Sequence, residues 1–171
     1  MFDFIENNPS KKHFILKIII SFILLISFIA FPKQKVQAAP STYYVSPTGN
    51  DSFPGTISQP WKTIGKAANT VKAGDTVYLR GGTYNQAAVF STSGTASNPI
   101  TLAAYTGETP IIDGTRTIPS YGSYLLSIHG NYINVSGIEI CNSNYGGLYV
   151  DGSYDVIDNV YSHHNVGVGI Y

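Results

Sequence analysis

Two polar patches of the sequence contain residue types that bind metal ions or anions. The first combines Asp151, Asp155 and Asp158 with asparagines at positions 142, 144 and 159. Clusters of oxygen ligands of this kind are what a Ca²⁺ ion requires. Asp155 and Asp158 are three residues apart in a candidate strand, so the alternation of side chains points them to opposite faces. We therefore interpret these residues as solvated turn and outer-face positions.

The second patch is the stretch SHHN, residues 162–165. Two adjacent histidines on an outer face could contact a carboxylate of a ligand, with an amide beside them. The alternative is that both histidines are simply solvated in a turn. We take His163, His164 and Asn165 as candidate substrate-binding residues, whereas catalytic residues and metal ligands remain unassigned.

A pair of glycines raises a different possibility, a phosphate-binding loop. Gly81 and Gly82 follow the candidate strand TVYLR, residues 76–80. A phosphate loop requires a helix directly after the glycines, so that its first N–H groups face the anion. The following stretch TYNQAAVFSTSG shows no amphipathic helix. We therefore predict that the glycines form a sharp corner between strands.

The elements that must position these patches are short strands. One amphipathic helix is predicted over 61–71, where apolar residues recur at helical spacing. Candidate strands follow at 76–80, 100–105, 124–128, 132–140, 147–150, 155–161 and 168–171, separated by Gly, Asn, Ser and Pro. The sequence therefore predicts an all-β fold after a single short helix.

A repeat of 22 residues distinguishes between all-β folds. Leu126, Leu148 and Ile170 form one series at this spacing, and Tyr149 pairs with Tyr171 in the same way. A sandwich has no reason to repeat, whereas a solenoid places each apolar side chain above its counterpart in the preceding coil. We predict three to four coils of about 22 residues, each with three strands, and a register that fades upstream of about residue 120. The helix covers the open N-terminal end of this stack.

The start of the sequence has the order of a secretory signal peptide. Three lysines precede the 14-residue apolar run at 18–31, and Val36-Gln37-Ala38 resembles a cleavage site. The alternative is a retained membrane anchor, although a bilayer span needs about 20 residues. We predict a signal peptide over 1–38, a lead-in segment over 39–60, a capping helix over 61–72 and coils over 73–171.

Composition after residue 38 limits the possible partners. This part of the sequence has eight acidic side chains and five basic ones, which are Lys62, Lys66, Lys72, Arg80 and Arg116. A nucleic-acid-binding protein would show a basic stripe, so nucleic acid is an unsuitable partner. Cys141 is the only cysteine, which excludes an intrachain disulfide. We expect a secreted, extracellular monomer with no stable membrane span once the signal is removed.

A family resemblance rests on the order of three motifs. The stretches GDTVYLRGGTY, SNPITLAAYTGETPIIDG and YINVSGIEI follow one another within residues 43–171. This order resembles the right-handed parallel β-helix proteins of the pectate-lyase-like superfamily, most closely the family-9 pectate lyases and related secreted bacterial β-helix domains. The resemblance implies a right-handed parallel β-helix with three sheets.

The resemblance also implies β-elimination on an acidic polysaccharide such as pectate. In such enzymes Ca²⁺ binds a uronate carboxylate, and a lysine or arginine removes the proton at C5. No lysine or arginine lies in the regular coils, and in the family the metal ligands and the base come from coils that would follow Tyr171. Where the family carries polar residues after an H-x-N stretch, this sequence has Val166 and Val168. We therefore expect an N-terminal fragment that is inactive alone.

The sequence is compatible with two further functions. One is a non-catalytic carbohydrate-binding or cell-surface module, which repeats rich only in Asn, Gly and Val would favour. The other is a glycoside hydrolase on the same fold, which would need paired carboxylates at hydrolytic spacing.

Overall fold

The computed structural model of this protein describes residues 13–14, 16–18, 20–21, 39–115 and 122–171. The chain divides into two compact units, 1–38 and 39–171. The described residues of the first unit are helical. The predicted signal peptide or anchor otherwise lies outside the described residues. No helix in the described part of the chain has the length and apolarity needed to cross a membrane.

The second unit consists of twelve described strands and one described short helix. Strand β1 and helix α1 come first, and β2–β4, β5–β7, β8–β10 and β11–β12 follow in groups that each form part of one coil. Their bounds are β1 Thr42–Val45, α1 Ile64–Ala68, β2 Thr76–Leu79, β3 Gly82–Tyr84, β4 Ala88–Phe90, β5 Ile100–Ala104, β6 Pro110–Asp113, β7 Tyr124–Ile128, β8 Ile133–Ser136, β9 Glu139–Cys141, β10 Gly146–Val150, β11 Val156–Asp158 and β12 Tyr161–His163.

These strands form three sheets in which every pair of neighbouring strands is parallel. Sheet 1 has the order β1-β2-β5-β8-β11, sheet 2 the order β3-β6-β9-β12, and sheet 3 the order β4-β7-β10. Successive strands of the chain therefore lie in successive sheets, as in a coil that winds around one interior. This confirms the predicted three-sheet, right-handed parallel β-helix.

The 22-residue repeat is confirmed over the last two coils. Leu148 pairs with Leu126 and forms a bridge with Ile170. The backbone follows the same period, since Asn142 and His164 have φ values of 53° and 54° at the corner that ends β9 and β12. Earlier coils are longer, because Thr76 pairs with Thr101 and Thr101 in turn pairs with Asn134. The register thus fades upstream, as predicted.

The interior is a set of apolar columns along the solenoid axis. Val77, Leu102 and Val135 lie in register on neighbouring strands of sheet 1, and all three are fully buried. Ile157 continues this column, half-buried in the last described coil. Because parallel in-register strands bring equivalent positions to the same side, one apolar residue per turn suffices to extend each column.

The glycine pair forms a corner, as predicted. Gly82 is the first residue of β3 and has a φ of 123°, a region that residues with a Cβ rarely adopt. A Cβ there would also lie 3.1 Å from Cγ of Pro47. The N–H of Gly81 donates to the carboxylate of Glu108 in the next coil. The glycines therefore serve the turn between sheets 1 and 2.

The predicted helix over 61–72 is too long, because α1 covers only Ile64–Ala68. The N–H of Trp61 donates to the carbonyl of Tyr44, so Trp61 pairs alongside β1 rather than opening the helix. Thr63 caps α1 by accepting a hydrogen bond from the N–H of Lys66 at 3.0 Å. The buried face of α1 packs into the core cluster, which gives it the predicted capping position. The 39–60 segment, predicted as a lead-in, contributes β1 to sheet 1.

Candidate functional site

A groove of about 530 Å³ runs along the outside of sheet 3. Its floor is a row of three residues in register, Val89 on β4, Ser127 on β7 and Tyr149 on β10. Ser127 is the small member of this row and leaves a depression between its larger neighbours. The remaining lining residues come from the segment before β4 and from both ends of β7: Ala87, Gly122, Ser123, Tyr124 and His129.

Aromatic rings border this groove, and the 22-residue repeat continues them beyond it. The ring centroids of Tyr124 and Tyr149 lie 4.9 Å apart, and Tyr149 stacks on Tyr171 at 5.4 Å with planes 6° from parallel. Gly146 makes room for the Tyr124 ring, since a Cβ there would lie 2.2 Å from Cε1 of that ring. A continuous aromatic ledge therefore follows the solenoid axis.

A polar pair lies beside the ledge. Nδ1 of His129 lies 2.7 Å from Oδ1 of Asp151, and the His129 ring is 5.6 Å from that of Tyr149. Partial burial and the nearby Asp151 charge raise the pKa of Tyr149 above its ordinary value. The Tyr149 phenol therefore keeps its proton at neutral pH. The groove combines aromatic faces with a small number of fixed polar groups, which is the usual composition of a small-molecule site.

Of the predicted SHHN residues, the structure brings the two histidines together on sheet 2 and not at this groove. Nε2 of His163 is 3.0 Å from Oε1 of Glu139, and its Nδ1 faces Nδ1 of His164. Asn165 serves the turn: its Oδ1 accepts from the N–H of Ser143, and its Nδ2 donates to Ser162. Substrate contact by these three residues stays a prediction.

The aspartate-rich patch is divided among separate contacts. Asp151 pairs with His129, whereas Oδ1 of Asp155 accepts from the N–H of Ile133 at 2.7 Å. The other Asp155 oxygen is buried without a hydrogen-bond partner, and desolvation raises the pKa of this carboxyl. Asp151 and Asp155 therefore make separate contacts. Asp151 and Asp158 are exposed, as predicted, whereas the buried oxygen of Asp155 does not fit its interpretation as a solvated position.

One cluster was missed from sequence. Glu139, Cys141 and His163 place one metal-ligating atom each within 4.8 Å of one another, the one such group found in the described part of the chain. Cys141 and His163 are 22 residues apart, so the repeat itself contained the signal. Cys141 was interpreted only as a possible disulfide partner, so the cluster was not predicted.

Comparisons with known proteins agree on the architecture. Residues 43–171 match the family described as Pel9A-like, right handed beta helix region. Pectate lyase PEL9 of Emericella nidulans is 34% identical over 139 residues, covering 74% of this chain and 34% of its own length. Pectate lyase L of Paenibacillus polymyxa is 34% identical over 131 residues, covering 74% of this chain and 29% of its own.

A solved structure gives the same result. The crystal structure of pectate lyase Pel9A has a TM-score of 0.66 and 30% identity, covering 76% of this chain and 35% of that chain. This chain thus spans about a third of the length of the relatives it matches.

Proposed function

Because this chain belongs to the family of Pel9A-like right-handed β-helix proteins, we propose that it supplies the N-terminal coils of a secreted polysaccharide lyase. The proposed substrate is pectate or a similar polyuronate, cleaved by β-elimination. The observation that carries this proposal is the match of residues 43–171 to the family, together with relatives that are named pectate lyases.

Elimination requires groups that the described coils do not assemble. A base must remove the C5 proton, and the negative charge that develops must be stabilised, for which the family resemblance implies Ca²⁺. Ca²⁺ takes six to eight oxygen ligands. Asp151 is engaged by His129 and Asp155 by Ile133, so these two carboxylates do not converge on a shared Ca²⁺ position. Beyond Arg80 the described residues include no lysine or arginine. We therefore propose that these coils contact the polysaccharide and carry out no step of the elimination.

The groove on sheet 3 is the surface we assign to that contact. The C–H groups of a pyranose ring are apolar and pack against aromatic side chains, and Tyr124 and Tyr149 line the groove with ring centroids 4.9 Å apart. His129 and Asp151 lie beside these rings and can hydrogen-bond sugar hydroxyls. The ledge continues to Tyr171, so a linear polysaccharide can extend along the solenoid axis.

A binding experiment tests this assignment. The full chain is titrated with oligogalacturonate by calorimetry, beside Tyr124→Ala and Tyr149→Ala. We expect each variant to bind about tenfold more weakly, which corresponds to ~1.4 kcal/mol. Tyr154→Ala is the control, since Tyr154 is an exposed tyrosine that stacks on Tyr132, away from the groove. Equal affinity of all four proteins would refute the groove as the binding surface.

One observation favours a second function, a non-catalytic carbohydrate-binding or cell-surface module. The groove is aromatic, and the described residues that line it include no lysine or arginine. Such a surface binds sugars without supplying a base for elimination. Binding that depends on the tyrosines, combined with absence of unsaturated product, fits this module as well as the N-terminal part of a lyase. Restoring elimination by adding the downstream coils of a family member to this chain would separate the two in favour of the lyase.

A further inference from the structure

Three different metal-ligating side chains converge on the outer face of sheet 2. Glu139 and Cys141 are two residues apart on β9, so both project from the same side of the strand. His163 on β12 is directly in register with Cys141. One donor atom from each side chain lies within 4.8 Å of the other two.

The histidine is already held in an orientation suited to metal binding. Its Nε2 points at Oε1 of Glu139, 3.0 Å away, and its Nδ1 faces Nδ1 of His164. A metal on Nε2 requires the ring proton on Nδ1, where His164 can accept it. Metal-binding histidines commonly donate their second ring N–H in this way, which fixes the tautomer and the ring orientation.

The cluster is closed on one side and open on the other. Cys141 is 5% exposed, whereas the side chains of His163 and Glu139 remain 22% and 27% exposed. Three protein ligands with one solvent-facing side match a four-coordinate ion that keeps a water molecule.

The local charge favours a cation. Asp113 on β6 is in register with Cys141, and the Asn142 amide holds Oδ1 of Asp113 at 3.2 Å. Two carboxylates therefore lie near the thiol. Arg80, the last lysine or arginine among the described residues, pairs with Glu108 instead.

We propose that Glu139, Cys141 and His163 bind one Zn²⁺ ion. A mixed sulfur, nitrogen and oxygen donor set suits this borderline ion, whereas Ca²⁺ and Mg²⁺ take oxygen ligands only. With bonds of roughly 2.0–2.3 Å, tetrahedral ligands lie about 3.3–3.8 Å apart, so closure needs about 1 Å of side-chain movement. The site is separate from the groove on sheet 3 and does not depend on the polysaccharide proposal.

Cobalt spectroscopy tests the site directly. The full chain, purified in detergent and reduced, is titrated with Co²⁺ as a substitute for Zn²⁺. We expect one equivalent to produce a sulfur-to-cobalt charge-transfer band, which only Cys141 can supply because it is the only cysteine. We also expect intense visible bands typical of four-coordination, and one equivalent of Zn²⁺ should displace the cobalt. Absence of the charge-transfer band in the wild-type protein would overturn the proposal without any variant.

Two variants test the ligands, and a third serves as the control. Cys141→Ser removes the charge-transfer band, and we expect it to weaken Zn²⁺ binding by more than about 100-fold, since loss of an outer hydrogen-bond partner alone costs about 10–100-fold. His163→Gln weakens Zn²⁺ binding similarly. His129→Gln is the matched control, because His129 also pairs with a carboxylate but has no cysteine beside it, and it should bind Zn²⁺ within about twofold of wild type. Unchanged Zn²⁺ affinity in Cys141→Ser would overturn the proposal, because the Cys141 thiolate would then not be a ligand.

Discussion

Truncation of Leu126 measures how strongly the interior columns hold the coils together. Leu126 is fully buried, between Ala88 on β4 and Leu148 on β10. Leu126→Ala leaves a cavity next to an alanine that cannot fill it, so we expect a loss of about 4 kcal/mol in the free energy of unfolding. Ile170 lies in the same column one coil beyond Leu148 but is 47% exposed. Ile170→Ala removes three carbons that are about half-buried, and at ~0.8 kcal/mol per buried carbon the expected loss is about 1 kcal/mol.

The assay is urea unfolding of the full chain, followed by far-ultraviolet circular dichroism. Val89→Ala serves as a control, because Val89 lies on the neighbouring strand, faces outward and is 50% exposed. We expect it to cost less than about 1 kcal/mol. If Leu126→Ala cost no more than Ile170→Ala, the columns would not be the main source of stability and the reasoning would fail.

Substitution of two carboxylates by asparagine should change the free energy of unfolding in opposite directions. Urea midpoints measured at several pH values test this. Desolvation raises the pKa of Asp155, so its charge destabilises the fold at neutral pH. Asp155→Asn should therefore raise the free energy of unfolding by about 1 kcal/mol. This gain should be lost as pH falls toward about 3.9, because the wild-type carboxyl then becomes protonated. Burial alone would raise the pKa of Asp51, but hydrogen bonds from Thr63 and Lys62 lower it below its ordinary value. Asp51→Asn should therefore cost about 1–2 kcal/mol at neutral pH, and this difference should disappear only as pH falls below about 3.9, through the lowered pKa of Asp51. A pH-independent effect of either substitution would contradict the assigned contacts.

The fold was predictable where the coils are regular. From residue 124 onward the 22-residue repeat placed Leu126, Leu148 and Ile170 in one column, and the structure confirms this. Strands β1, β3, β4 and β6 were missed. They have only three or four residues and lie in coils of unequal length, so neither alternation nor a fixed period marks them.

The candidate sites were predictable only in part. His163 and Cys141 follow the repeat, so their proximity was present in the sequence. The groove on sheet 3 was not predictable, because Val89 and Ser127 are paired across an irregular coil of 38 residues. Its depth also depends on Gly146, whose lack of a side chain admits the Tyr124 ring. Such a contact is set by packing and leaves no periodic signal.

The central claim is that the described coils contact a polyuronate but do not carry out elimination. The most direct measurement is to incubate the folded full chain with polygalacturonate and Ca²⁺ and follow the ultraviolet absorbance of the unsaturated product. We predict no rise, because the described coils beyond Arg80 contain no lysine or arginine to act as the base. A Ca²⁺-dependent rise that disappears when His163 and His164 are both replaced by alanine would contradict the account and make the SHHN stretch the active site.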